Sequence, residues 1–165
     1  MSNHGGHDGI HIAKHQLSRD PDVTATGATD IFPADMFPLT AMTQGCSWNA
    51  TGPSFIAVHQ FLEAQYRELF EAVEQIAERA RALRVIISCG LLPLLQLPTL
   101  EEGDYAVTTD QAEHMLVDDH TSMADQARDL AYEAEEAQHP ATQDMLVGRI
   151  AVHQKAALLL RSHLH

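Results

Sequence analysis

Residues 55–83 carry an unbroken apolar stripe. Phe55, Val58, Leu62, Tyr66, Leu69, Val73, Ile76, Ala80 and Leu83 recur at spacings of three and four. That repeat puts all nine side chains on one face of an α-helix, whereas a strand would divide them between its two faces. A helix this long and one-sided is stable in water only when its apolar face lies against other helices. Two later segments supply such faces. One is Leu116, His120, Met123, Ala127, Leu130, Ala134 and Ala137; the other is Leu146, Ile150, His153, Ala157, Leu160 and Leu164. Thr108 and Gln111 are spaced as a capping box for the first of these, and Pro140 suits the opening turn of the second. No segment alternates as a half-buried strand does.

The remaining chain is less regular. Residues 30–50 have weak helical character: Pro33 suits a helix start, but Pro38 and Gly45 predict a first helix that is shortened or kinked. The apolar run 85–97, cut by Gly90 and Pro93, predicts a short helix. Residues 1–29 form a polar tail rich in Gly, Asp and His, ahead of a domain spanning 30–165. The economical all-α solution is an antiparallel four-helix bundle with a short helix in one long crossover.

Charge narrows the partners. Ten Lys+Arg against 23 Asp+Glu give a net charge of -13. Such a balance opposes nucleic acid and anionic membranes and favours cations. The first 35 residues hold Lys14 and Arg19 against Asp8, Asp20, Asp22, Asp30 and Asp35, so DNA binding is not expected without bridging divalent ions. No membrane span or secretory h-region is visible, and Cys46 and Cys89 do not form a CxxC pair; a soluble, cytoplasmic chain is expected.

A second stripe shares the long helix: His59, Glu63, Phe70, Glu74 and Glu78. Its four polar groups fall at roughly 0°, 40°, 60° and 100° around the axis, forming one arc. Glu74 and Glu78 repel each other one turn apart, and a bound cation would reverse that sign. His59 and Glu78 lie roughly 28 Å apart along the axis, too far to share an ion within one chain. Against an antiparallel copy across a twofold axis near residues 68–69, His59 and Glu63 of one subunit face Glu74 and Glu78 of the other, giving two sites per dimer. Imidazole with carboxylates suits iron, manganese or zinc better than calcium. Periodicity alone equally allows four solvated side chains on an exposed face. An intra-bundle di-iron site is disfavoured, because the last helix has no acidic residue from Met145 to His165.

Specific motifs decide between these alternatives. Trp48, Asn49, Gly52, Pro53, Phe55, His59, Ala77, Glu78 and Arg79 match the pattern His-Trp-Asn-x-x-Gly-Pro-x-Phe, His-x-x-x-Asp, Asp-x-x-Ala-Glu-Arg. Over residues 34–84 and 108–164 the chain resembles the Dps family, the miniferritins. The resemblance implies a ferritin-like bundle and a dodecameric homo-oligomeric shell built from twofold dimers. It also implies a ferroxidase that oxidises ferrous iron with peroxide or oxygen and stores ferric mineral, limiting Fenton damage. Carried over by position, His59, Glu63, Glu74 and Glu78 would bind the iron, with zinc or manganese as possible substitutes, and Trp48 would stand near the centre. Glu63 and Glu74 replace the usual Asp. Ser47 replaces the family's first histidine ligand, so the alternative is a shell-forming metal-binding or structural protein with a degraded centre. Asp144 resembles an acidic pore residue. His4, His7, His11 and His15, spaced 3, 4 and 4, are candidate accessory ligands in the tail.

Overall fold

A computed structural model describes residues 24–85 and 109–163. Among them every regular element is an α-helix: α1 (Thr24–Asn49), α2 (Phe55–Ala82), α3 (Thr109–Glu136) and α4 (Pro140–His163). The expected short helix within 85–97 and the Thr108 capping position lie outside the described residues, as do His4, His7, His11 and His15.

Contacts at the helix ends give the topology. Ser47 near the end of α1 touches His59 near the start of α2. Arg79, late in α2, bonds Thr142, early in α4. Glu113, early in α3, faces His163 at the end of α4. Gln126 of α3 reaches Asp35 of α1. Neighbouring helices are therefore antiparallel, and α2 and α3 run the same way. α2 and α3 are not packed as neighbours, and the end of α2 and the start of α3 lie at opposite ends of the bundle, so the long connection of this topology is the one between them.

The apolar stripes become the core. Leu62, Leu69 and Ile76 from α2, Leu116 and Met123 from α3, and Leu146 and Leu160 from α4 are almost wholly buried. Each such side chain contributes about 1.5–3 kcal/mol relative to exposure. Phe32, Met36, Leu39 and Met42 add a matching face from α1.

That face accounts for α1. Pro33 and Pro38 lie inside it without shortening it: α1 has 26 residues, against 28, 28 and 24 for the others. Pro38 deprives the Ala34 carbonyl of its helical donor, a local cost that packing on both sides of the proline offsets. Thr40 and Thr43 turn their hydroxyls back to the carbonyls of Met36 and Leu39, so neither hydroxyl is left unmet. The helix also starts at Thr24, within the stretch assigned to the polar tail. Asp35, counted from sequence among the negative charges of the first 35 residues, is wholly buried and accepts a 2.7 Å bond from Gln126.

Two helix ends could not be anticipated. After α2, Arg84 takes a left-handed φ of 64°, with Val85 N–H donating to the Ala80 carbonyl and Arg84 N–H to that of Arg81. After α3, Gln138 does the same at 59°, with His139 N–H bonded to Ala134 and Gln138 N–H to Glu135. Both are Schellman closures without the usual glycine.

Candidate metal centre

The centre is built on α2 and the turn before it. Gly52, at φ 101°, reverses the chain between α1 and α2, a conformation that an L side chain resists. Phe55 N–H donates to the Gly52 carbonyl and Val58 N–H to that of Ser54, starting α2. The tight reversal lays the end of α1 against the first turns of α2, which brings Ser47 to His59.

His59 is held from two sides. Its Nδ1 lies 2.9 Å from the Ser47 carbonyl and 3.1 Å from the Ser47 hydroxyl, and its ring stacks on Phe55 at 5.5 Å between centroids. Ser47 itself is wholly buried. Glu63, one turn on, is half-buried and accepts a 2.6 Å bond from exposed Arg67. Glu74 and Glu78 are exposed. Because α2 is one continuous helix over Phe55–Ala82, the two pairs stay at its opposite ends. Among the described residues no three His, Cys, Asp or Glu side chains of one chain converge into a group able to hold an ion.

The surface around these groups is apolar for a solvent-facing one. Trp48 and Ile56 are each 68% exposed and Phe70 is 56% exposed. Phe70 falls within the polar arc, between the two pairs. Exposed apolar side chains of this size suit contact with another molecule where they form one patch.

Cys46 lies beside Ser47 and is half-buried. Burial first, and then the negative charge of Glu113, push its thiol up to about 11, so it stays protonated at neutral pH. Asp144 is exposed, just beyond the first turn of α4.

Sequence reasoning placed His120 and His153 on core stripes, and the structure pairs them. Their Nδ1 atoms are 2.9 Å apart, and both residues are buried. One Nδ1–H donates and the other Nδ1 accepts. Each Nε2 has no hydrogen-bond partner among the described residues. Burial lowers both pKa values, to about 4 for His120, with the nearby Arg149 charge acting in the same direction. Arg149 is also buried and forms a two-pronged ion pair with Glu68 of α2. Arg149 is not among the residues that the apolar stripes single out. Its signal was the spacing Leu146, Arg149, His153, which places a guanidinium on the core face of α4. Arg79, inside the Ala77-Glu78-Arg79 motif, bonds the buried Thr142 hydroxyl at 2.9 Å and ties the Glu78 end of α2 to α4.

A family model described as the ferritin-like domain matches residues 34–165. An uncharacterised low temperature-induced protein of Nostoc sp. is 35% identical over 132 residues, covering 78% of this chain and 73% of its own. The fine tangled pili major subunit of Haemophilus ducreyi is 30% identical over 129 residues, covering 76% and 67%. A DNA protection during starvation protein of Agrobacterium fabrum is 27% identical over 158 residues, covering 93% and 95%. Among solved structures, Dps from Thermosynechococcus elongatus superposes with a TM-score of 0.83 at 21% identity, covering 88% of this chain and 96% of that one. The bundle, its crossover and the α1–α2 motif thus meet in one conclusion: the chain belongs to the ferritin-like/Dps superfamily.

Proposed function

We propose that the chain forms a Dps-type homo-oligomeric shell that binds divalent metal, with ferrous iron as its substrate, at sites shared by two subunits. In this proposal the ferroxidase centre is degraded relative to the family pattern. His59 and Glu63 of one subunit and Glu74 and Glu78 of the next supply the donors, with Trp48 beside them. The observation that carries it is Ser47: a buried hydroxyl, turned to His59, stands where the family has an imidazole ligand. A neutral hydroxyl is a poor donor to a borderline metal, so the site is one nitrogen short. The exposed apolar surface around Trp48, Ile56 and Phe70 supports burial of this face between subunits. Asp144, as an entry residue, and the tail histidines His4, His7, His11 and His15 are accessory proposals. A structural shell is compatible with a relative named as a pilus subunit. No helix among the described residues is long and apolar enough to cross a membrane.

A second reading, a fully working ferroxidase and iron store, is favoured by the retention of both i,i+4 pairs on an unbroken α2. One experiment separates the two. Ferrous ion is titrated anaerobically into the assembled protein, peroxide is added, and the initial oxidation rate is followed for the parent, Ser47→His and Glu78→Ala. The degraded centre predicts slow oxidation in the parent and about tenfold tighter ferrous binding in Ser47→His, equivalent to roughly 1.4 kcal/mol. Fast oxidation in the parent, unimproved by Ser47→His, supports the second reading. Unchanged binding in Glu78→Ala removes the proposed site altogether.

A further inference from the structure

His59 Nδ1 faces two oxygens, both from Ser47: the main-chain carbonyl at 2.9 Å and the hydroxyl at 3.1 Å. A carbonyl only accepts. The hydroxyl is placed to donate to the His59 main-chain carbonyl at 3.4 Å, which turns its lone pairs toward the ring. Two acceptors at Nδ1 require a proton there, and a neutral imidazole protonated on Nδ1 carries its lone pair on Nε2. Ser47 is wholly buried, so solvent does not compete for these contacts. The stacked Phe55 ring limits rotation of the imidazole on the other side.

We infer that Ser47 is a positioning residue: its carbonyl and hydroxyl together hold His59 as the Nδ1–H tautomer and reserve Nε2 for a divalent metal. The metal half of this inference rests on the proposed role of His59 as a ligand. Position 47 then supports a ligand where the family pattern supplies one. The partner that fixes a ligating imidazole commonly changes metal affinity by about 10–100-fold when removed. Here the carbonyl remains after side-chain truncation, so the loss in Ser47→Ala is smaller, about three- to tenfold.

The test uses the assembled full-length protein labelled with 15N-histidine and observed by magic-angle-spinning NMR, metal-free and mildly alkaline. The His59 signals are assigned by their loss in His59→Gln. The expected parent spectrum has Nδ1 protonated and Nε2 bare, and zinc, a redox-inert stand-in for ferrous ion, shifts Nε2 while the Nδ1 proton stays. Ser47→Ala is expected to show a mixture of tautomers and weaker zinc binding, and Ser47→Thr, which keeps a hydroxyl, to restore both. A parent His59 protonated on Nε2 overturns the inference, as does Ser47→Ala with an unchanged His59 spectrum and affinity. If zinc shifts no His59 signal, the proposed metal centre fails instead. The metal-free spectra still decide what Ser47 does to the ring.

Discussion

His59 and the His120–His153 pair occupy the same bundle, yet their imidazoles meet opposite surroundings. His59 is half-buried at the helix surface, and its Nδ1 is engaged by Ser47. The other two are sealed in the core, engage each other through Nδ1, and lie beside the Arg149 guanidinium. Burial plus a nearby cation makes the inner pair poor at taking up any positive charge, proton or metal. His59 is half-buried, with Glu63 one turn along on the same helix face, and lacks that seal. The residue type is therefore a weak guide to role, and the field around it is a strong one.

The largest expected effect breaks the inner pair. His153→Ala leaves a cavity and an unmet Nδ1 on His120, and should cost about 3 kcal/mol in chemical denaturation. Replacing both histidines with Leu removes donor and acceptor together and should be nearly neutral. If the double replacement is as damaging as the single one, the pair does more than fill space and satisfy itself.

Acid should sharpen the contrast next. In the folded chain the His120 pKa is about 4, against an ordinary value of 6.5. Below 6.5 the unfolded chain binds protons that the folded chain refuses, so stability falls as the pH drops from about 6.5 toward 4 and is flat, for this pair, above 6.5. Comparing the parent with the double Leu variant isolates that contribution from the carboxylates. A parent whose pH dependence matches that of the variant would sink the assignment of a neutral buried pair.

The smallest effect concerns the outer site. Arg67 occupies one oxygen of Glu63 through an exposed ion pair, a kind of contact that contributes little in water. Arg67→Ala should therefore raise zinc affinity only about twofold, with unchanged stability by thermal melting. A tenfold gain would mean that Arg67 competes for the site far more strongly than an exposed pair should.

Much of this was legible in one dimension. The stripes on 55–83, 116–137 and 146–164 named most of the core. The cluster Trp48, Asn49, Gly52, Pro53, Phe55, His59 named the α1–α2 turn and one half of the proposed metal centre. Other features depend on distances across helices. That Ser47 lacks the usual imidazole is plain from sequence; that its hydroxyl lies 3.1 Å from His59 Nδ1 is not. The partners Glu68–Arg149 and Asp35–Gln126 join residues 81 and 91 positions apart. Nothing local predicts such pairings, because they depend on how the helices rotate and tilt against one another.

The order of residues alone determined that α2 is a helix with one apolar and one polar face, and that His59 and Glu78 stand too far apart to serve one ion in one chain. Periodicity and rise per residue are local geometry, so they survive without knowledge of neighbours. Only the tertiary structure decided that α1 continues through two prolines, that Asp35 is a core residue, that Arg84 and Gln138 close helices in a glycine conformation, and that two core histidines meet Nδ1 to Nδ1. For α1, Asp35 and the histidines, burial against another helix supplied free energy that outweighed the local preference; Arg84 and Gln138 are exposed, and there the main-chain bonds of the Schellman closures offset the left-handed backbone. A local preference is all that a sequence states directly.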